Sequence, residues 1–304
     1  MFKNIITKCG VAVIIGRPNV GKSTLINALL KAKVAIVSPK PQTTRNAIRC
    51  IYNSDNAQII FTDTPGIHVP KNKLGKGLVE SATTAIGCAN VVCYIVGADD
   101  AEISADDAEI IALLENVKIP VYLIINKIDK VKQNYNVNST IELYSKYIKI
   151  NCVTSISAKK STNLNTFIDA VTPFMPEGEP WFDSDILIDS TEKFLAEELI
   201  REQALKYLRD EVPHCIAVKI EEYKSPDEYP ERKKLYIKAK IITETEGQKG
   251  IVIGESGNMI RKLGEHARIE IEKVTGHPVY IDLRVQAKPG WRQSQIMLKR
   301  LGYA

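Results

Sequence analysis

The sequence predicts a doubly wound α/β sheet followed by a smaller α+β domain, and three observations carry that prediction. Short apolar runs alternate with helix-period segments from residue 11 to residue 172, the pattern of a sheet with helices on both faces. A glycine-bracketed turn, Gly16-Arg-Pro-Asn-Val-Gly-Lys-Ser23, lies between the first apolar run and the first helical one. After Pro173-Phe-Met-Pro-Glu-Gly-Glu-Pro180, broken by proline and glycine, the periodicity changes and two strand patterns follow each other directly.

The expected strands of the sheet are 11–15, 47–52, 58–62, 91–96, 121–126 and 151–155, each a short apolar run of the kind buried in a parallel sheet. Helical patterns fall near 24–30, 77–89, 105–116, 139–149 and 163–172. Beyond the break come an amphipathic helix over 191–208 and strands over 215–222 and 234–242, joined by a polar turn at 225–231. A short apolar helix leads into Gly254-Glu-Ser-Gly257, a second helix runs to about residue 274, and a strand over 279–285 precedes Lys288-Pro-Gly-Trp291 and a short terminal helix.

Composition bounds the function. At 304 residues, 44% hydrophobic and 25% charged, the chain has the make-up of a soluble globular protein with room for two cores. It has no apolar run of about 18 residues, so no membrane span is expected. The first ten residues contain two lysines but no long apolar stretch, so no secretory signal is expected. The six cysteines form no C-x-x-C pair, which predicts reduced core thiols and argues against metal ligation by sulfur. Net charge is +5, yet residues 181–304 hold 21 basic and 21 acidic side chains. Any nucleic-acid contact there must use a local patch.

The chemistry-bearing motifs sit at expected strand ends. In the first turn, Gly16 and Gly21 let the backbone curl, so that the N–H groups of Arg17, Pro18-Asn19, Val20 and their neighbours surround one phosphate chain at a helix N-terminus. (Pro18 itself supplies no N–H.) Lys22 is expected on the β- and γ-phosphates and Ser23 on Mg²⁺. Asp63-Thr64-Pro65-Gly66 follows the third strand: Asp63 would hold Mg²⁺ through water and Gly66 would sense the γ-phosphate. Asn126-Lys127-Ile128-Asp129 follows the fifth. The Asp129 carboxylate can accept from both guanine N1–H and the N2 amine, a donor pair that adenine lacks. Asn126 would contact the base and brace the loop, and Lys127 would stack on the base. The last strand leads to Ser157-Ala158-Lys159, whose backbone N–H is expected to bind guanine O6, a triplet that informs only beside the other motifs.

The loop Pro39-Lys-Pro-Gln-Thr-Thr-Arg45 is expected to be a mobile switch with Thr43 or, preferably, Thr44 as a second Mg²⁺ ligand. The stretch 67–77, with Lys71, Lys73 and Lys76, is expected to be a second switch. Its first residue is Ile67, whose alkyl chain cannot orient water, so intrinsic hydrolysis should be slow. Catalytic candidates are therefore Lys22, Thr44, Asp63 and Gly66.

In the second half, Ile253-Gly254-Glu255-Ser256-Gly257 between two helices has the K-homology pattern, here in the type II element order, which grips single-stranded nucleic acid. Lys249, Arg261 and Lys262 flank it and offset Glu255. The run Arg232-Lys-Lys-Leu-Tyr-Ile-Lys-Ala-Lys240 adds alternating basic side chains along a strand. A packing-only turn and a solvated strand are the plainer readings of these two features.

The order G-x-x-x-x-G-K-S, D-x-x-G, N-K-x-D, S-A-K is similar to that of translation-factor-like GTPases. Joined to the K-homology pattern, Gln42-Thr-Thr-Arg45, Val212-Pro-His214 and Lys288-Pro-Gly-Trp-Arg292, it resembles the bacterial Era GTPases over nearly the whole chain. The resemblance implies a GTP-binding domain over 1–175, a linker over 176–189 and an RNA-binding domain over 190–304. It implies GTP/GDP and Mg²⁺, with K⁺ at Asn19 as a further activator. As partners it implies the 3′ end of small-subunit ribosomal RNA and the 30S subunit. It also implies a monomeric cytoplasmic protein that touches the inner face of the membrane. The competing reading is a signalling GTPase whose second domain docks a protein or membrane. A third is a static RNA scaffold that holds GTP without turnover.

Overall fold

A computed structural model describes residues 7–38, 40, 43–70, 72–131 and 136–303. Pro39, Pro41 and Gln42 of the first expected switch, Lys71 of the second, and residues 1–6 lie outside them. The chain divides into two compact units, one of residues up to 35 with 44–71 and 75–189, the other of 36–43, 72–74 and 190–304.

The first unit holds strands β1 (Lys8–Ile15), β2 (Ile48–Asn53), β3 (Ala57–Asp63), β4 (Val91–Gly97), β5 (Val121–Asn126) and β6 (Cys152–Ser155). Their order in the sheet is β2-β3-β1-β4-β5-β6, all parallel except the edge strand β2. Helices α1 (Lys22–Leu30), α2 (Lys73–Gly87), α3 (Ala105–Leu114), α4 (Val137–Ser145) and α5 (Leu164–Val171) alternate with the strands. Every residue of β3 and of β4 is buried, as strands covered on both faces must be. One interior layer joins Val13, Ile15, Val92, Val96, Leu123 and Ile125, each side chain contributing about 1.5–3 kcal/mol on burial. The register sets Ile14 opposite both Asp63 and Cys93, and Ile125 opposite Ser155. The carboxyl ends of four strands are thereby brought to one rim.

The expected doubly wound sheet is thus observed, with β1 three residues longer at its start. Lys8, Cys9 and Gly10 extend the ladder against Ala57, Gln58 and Ile59. Residues 176–189 are bonded along this unit. The Cys9 amide donates to the Pro176 carbonyl at 2.9 Å, and the Gln58 side chain accepts from the amides of Trp181 and Phe182 at 2.7 and 3.0 Å. The Ile51 amide donates to Leu187 at 2.9 Å, and Asp189 donates to Arg49 at 2.9 Å. The stretch therefore covers the free edge of β2.

The second unit contains α6 (Glu192–Tyr207), β7 (Ala217–Lys224), β8 (Leu235–Thr243), α7 (Glu246–Ile253), α8 (Asn258–Thr275), β9 (Val279–Ala287) and α9 (Gln295–Leu301). Its sheet runs β7-β8-β9, antiparallel then parallel. This is the α-β-β-α-α-β order of the type II K-homology fold. Along β8 the buried residues Leu235, Ile237, Ala239 and Ile241 alternate with half-buried polar ones, so one face of the sheet is core. Leu199, Val252, Leu263, Ala267 and Ile271 of α6, α7 and α8 pack on that face. The Lys288-Pro-Gly-Trp turn is explained by Trp291, which is fully buried and donates its indole N–H to the Cys215 carbonyl at 3.1 Å.

All six cysteines are free, and Cys9, Cys50, Cys93 and Cys215 are buried; burial pushes the Cys93 and Cys50 thiols far up. Among the described residues, no helix is long and apolar enough to cross a membrane.

Candidate functional site

The turn after β1 folds as it does because of what crosses it. Gly21 has φ +111°, and a Cβ there would lie 2.3 Å from Asn126 Nδ2, so only glycine fits. The close approach is used: Asn126 Nδ2 donates to the Val20 carbonyl at 2.9 Å, and Asn126 Oδ1 accepts from the Ala158 amide at 3.0 Å. One buried amide therefore ties the first turn, the end of β5 and the Ser157-Ala158 loop together.

Four side chains meet at the N-terminus of α1. Lys22 is buried and donates to the carbonyls of Gly16 and Arg17 at 2.9 and 3.0 Å. Ser23 donates to Asp63 Oδ2 at 2.7 Å and lies 2.9 Å from the Thr44 hydroxyl, which is 3.4 Å from the same carboxylate oxygen. Asp63 Oδ1 is buried without a hydrogen-bond partner. Burial holds the Lys22 ammonium down to about 8 against the pull of Asp63. Burial likewise pushes the Asp63 carboxyl up, opposed by Lys22, Ser23 and Thr44. Two hydroxyls and a carboxylate with one idle oxygen form a hard, oxygen-only donor set that suits Mg²⁺. Among the described residues no three His, Cys, Asp or Glu side chains cluster for a metal; Mg²⁺ held by this set would keep water and take a bound phosphate as its other ligands.

The two threonines of the first switch separate cleanly. The Thr43 hydroxyl donates to the Lys40 carbonyl at 2.6 Å, whereas Thr44 joins Ser23 and Asp63.

At the base end, Ser157 donates to Asp129 Oδ1 at 2.5 Å, and that hydrogen bond holds the Asp129 carboxyl below the usual range. Asp129 is exposed, Ser157 is fully buried, and Lys127 adopts φ +67° where the chain turns out of β5. The Lys127 side chain and Ile128 are half-buried beside it.

Other expected residues point elsewhere. The Thr64 hydroxyl is buried and donates to the Ile14 carbonyl at 2.7 Å, bracing β3 against β1. Ile67 turns into the apolar core beside Val13 and Ile15, with only its amide directed to the Gly16 carbonyl, at 3.3 Å. Pro65 is buried and Gly66 packs against Pro18. Asn19 sits at φ +61°, a left-handed corner that asparagine tolerates. Arg17 is held sideways by Asp100 and, at 3.7 Å, by Asp107. Asp107 also caps α3 through Ser104 and accepts from Tyr94 at 2.8 Å. Only the S-x-x-D capping spacing at 104–107 hints at this support in the sequence.

In the second unit, Gly254, Ser256 and Gly257 all have positive φ (+73°, +51° and +76°) between α7 and α8. Glu255 and Ser256 are exposed at the tip, Ile253 is half-buried, and Ile251 on α7 is 53% exposed. Lys249 pairs with Glu246 at 3.0 Å, and Arg261 and Lys262 are exposed on the first turn of α8. The Lys262 ammonium stands 4.3 Å from the Tyr207 ring centroid, and that ring stacks on His266.

A phosphate-binding turn, a D-x-x-G carboxylate and an N-K-x-D base pocket on one rim define a P-loop GTPase, here followed by a K-homology domain. Residues 11–127 match the family described as "50S ribosome-binding GTPase", and residues 211–292 match the KH domain. The chain is 41% identical over 297 residues to GTPase Era of Thermoanaerobacter sp. (strain X514), covering 98% of this chain and 97% of that protein. It is 42% identical over 296 residues to GTPase Era of Clostridium botulinum (strain Langeland), covering 97% and 98%. The chain belongs to the Era GTPase family. A crystal structure of Era in complex with MgGDPNP and nucleotides 1506–1542 of 16S ribosomal RNA superposes with TM-score 0.92 at 40% identity, over 98% of this chain and 99% of that one. An Aquifex aeolicus Era variant bound to GDP·AlF4⁻ gives TM-score 0.90 at 39% identity, over 98% and 100%.

Proposed function

We propose that this chain is a GTP-hydrolysing switch that binds the 3′-end region of small-subunit ribosomal RNA and assists assembly of the 30S subunit. The observation that carries the reading is the convergence of Lys22, Ser23, Thr44 and the idle Asp63 oxygen on one helix N-terminus, in a chain that also has a G-x-x-G loop. The similarity to Era complexes with MgGDPNP and with ribosomal RNA supports it.

Residues 1–175 carry the nucleotide chemistry and 190–304 the RNA contact. Lys22 releases its two carbonyl partners to bind β- and γ-phosphate oxygens, and the amides of residues 17–23, Pro18 excepted, line the phosphate chain. Ser23 and Thr44 would hold Mg²⁺, with Asp63 behind through water, and the bound ion would supply neutralisation of the charge that builds on the leaving GDP as the γ-phosphoryl group passes to water. Gly66 senses the γ-phosphate by its amide. Asp129 selects guanine, Asn126 braces the pocket, and the Ala158 amide lies beside guanine O6. The Ile67 side chain is locked in the core and cannot order the attacking water, so turnover is slow and draws on K⁺ held by Asn19. Lys249, Ile253, Gly254–Gly257, Arg261 and Lys262 grip single-stranded RNA. The protein acts as a cytoplasmic monomer with peripheral contact at the inner membrane face.

The test is phosphate release with Mg²⁺ in K⁺ and in Na⁺, with and without the RNA segment. Faster release in K⁺ and with RNA supports the switch. Rates equal in both salts remove the Asn19 role, and no release in any condition leaves a static scaffold.

A further inference from the structure

We infer that the K-homology sheet carries a second single-stranded RNA surface on the face turned away from its helices, with Tyr236 and Tyr280 as the stacking platform. The surface is independent of the G-x-x-G loop.

The alternation of β8 places Tyr236, Lys238 and Lys240 opposite the core-facing Ile237 and Ala239. Parallel pairing with β9 aligns Tyr236 with Tyr280, Lys238 with Asp282, and Lys240 with Arg284. The two tyrosine rings lie almost parallel, 10° apart with centroids at 5.9 Å. Tyr280 is 58% exposed, a large aromatic surface left to solvent.

Charge chooses the occupant. Arg232 and Lys224 approach the Tyr236 ring at 5.4 and 5.8 Å, and Lys238, Lys240 and Arg284 continue the basic array across the strands. Three carboxylates answer these five cations. Glu222 bridges Lys224 and Lys238 at 2.8 and 3.1 Å, Glu221 holds Lys240 at 2.5 Å, and Asp282 holds Arg284 at 2.9 Å. The face keeps an excess of two positive charges in a unit whose residues 181–304 are neutral overall. Aromatic rings with exposed π-faces, set among lysine and arginine, fit stacked bases and their phosphates. An apolar protein partner would find no apolar groove here, because the neighbours of the rings are charged stems.

The experiment compares the full chain with Tyr280→Ala, Tyr236→Ala, Tyr280→Phe and Gly257→Asp. Two RNAs are used: a single strand of about six nucleotides, enough for one site, and one of about twenty carrying 2-aminopurine along its length. Tyr280→Ala should weaken the longer RNA about tenfold, a loss typical of one stacked base, and reduce 2-aminopurine quenching. Tyr280→Phe should restore both. In the Gly257→Asp background a residual quench should remain and vanish only when Tyr280→Ala is added. Loop failure and sheet-face failure therefore read differently. Unchanged affinity, quenching and salt slope in both alanine variants, with the fold intact by near-ultraviolet dichroism, would overturn the inference. So would a loss of self-association in place of RNA binding, which would make the face a protein interface.

Discussion

Asn126→Ala removes one side chain and uncouples three elements. Its amide is the hydrogen-bond partner of the buried Val20 carbonyl at 2.9 Å and of the buried Ala158 amide at 3.0 Å. Truncation leaves both backbone groups without a partner at a turn so close to Asn126 that a Cβ on Gly21 would lie 2.3 Å from its Nδ2. A buried polar group left unmade costs about 1–3 kcal/mol, so the pair costs about 2–6 kcal/mol of folding stability before nucleotide is added. For a unit of this size each kcal/mol lowers Tm by about 2–4 °C. The assay is thermal unfolding of the nucleotide-free chain, followed by titration with GDP. The variant should melt well below the parent, and saturating GDP should restore less of the loss than its concentration alone implies, because the pocket itself is loosened. A nucleotide-free Tm within a degree of the parent would refute the bracing role and leave Asn126 as a base contact only.

Three further outcomes are expected. Asp129→Asn exchanges an acceptor for a donor at the base edge; GTP affinity should fall by about 10²–10⁴-fold and xanthine nucleotides should be gained, measured by competition. Thr44→Ala should raise the Mg²⁺ concentration needed for half-maximal phosphate release at least several-fold, while Thr43→Ala, whose hydroxyl bonds the Lys40 and Ser38 carbonyls, should not. Glu244 accepts from Arg292 at 2.6 Å, and that hydrogen bond holds its carboxyl below the usual value. A depressed folded-state value means stability that is present above the unfolded carboxyl's titration and is lost as pH falls through the folded one. Arg292→Ala should therefore cost about 1–3 kcal/mol at pH 7 and flatten the acid limb of the unfolding curve below about pH 4.5.

Much of this architecture was legible because burial on both faces writes itself as apolar runs. The strands β3, β4 and β5 were found to within a residue or so for that reason. Where residues do two jobs, the pattern failed. Lys8 to Gly10 pair in β1 but carry too few apolar side chains to announce it. Helix α2 begins at Lys73, inside the stretch 67–77 expected as a switch loop, because Leu74 and Leu78, one turn apart, are both buried and hold its first turn. Residues 176–189 looked like a linker through their prolines and glycine, yet they hold the edge of β2 by backbone hydrogen bonds, which no side-chain pattern records. Motif order located the nucleotide site, but not the inward turn of Ile67 or the sideways hold on Arg17. Both depend on contacts from β1 and α3, distant in sequence.

In the proposed switch, nucleotide state governs RNA binding through the G-x-x-G loop. Gly257 has open space around it, so an aspartate there adds charge without a clash, although its φ of +76° is less comfortable for a side chain. The direct measurement is binding of the ribosomal 3′-end RNA to the GTP-analogue and GDP forms over a salt series, with the parent chain and Gly257→Asp. Tight, salt-sensitive binding in the analogue form, weaker in GDP and largely lost in the variant, is the predicted result. Binding indifferent to both nucleotide and substitution would contradict it and make the loop a structural turn.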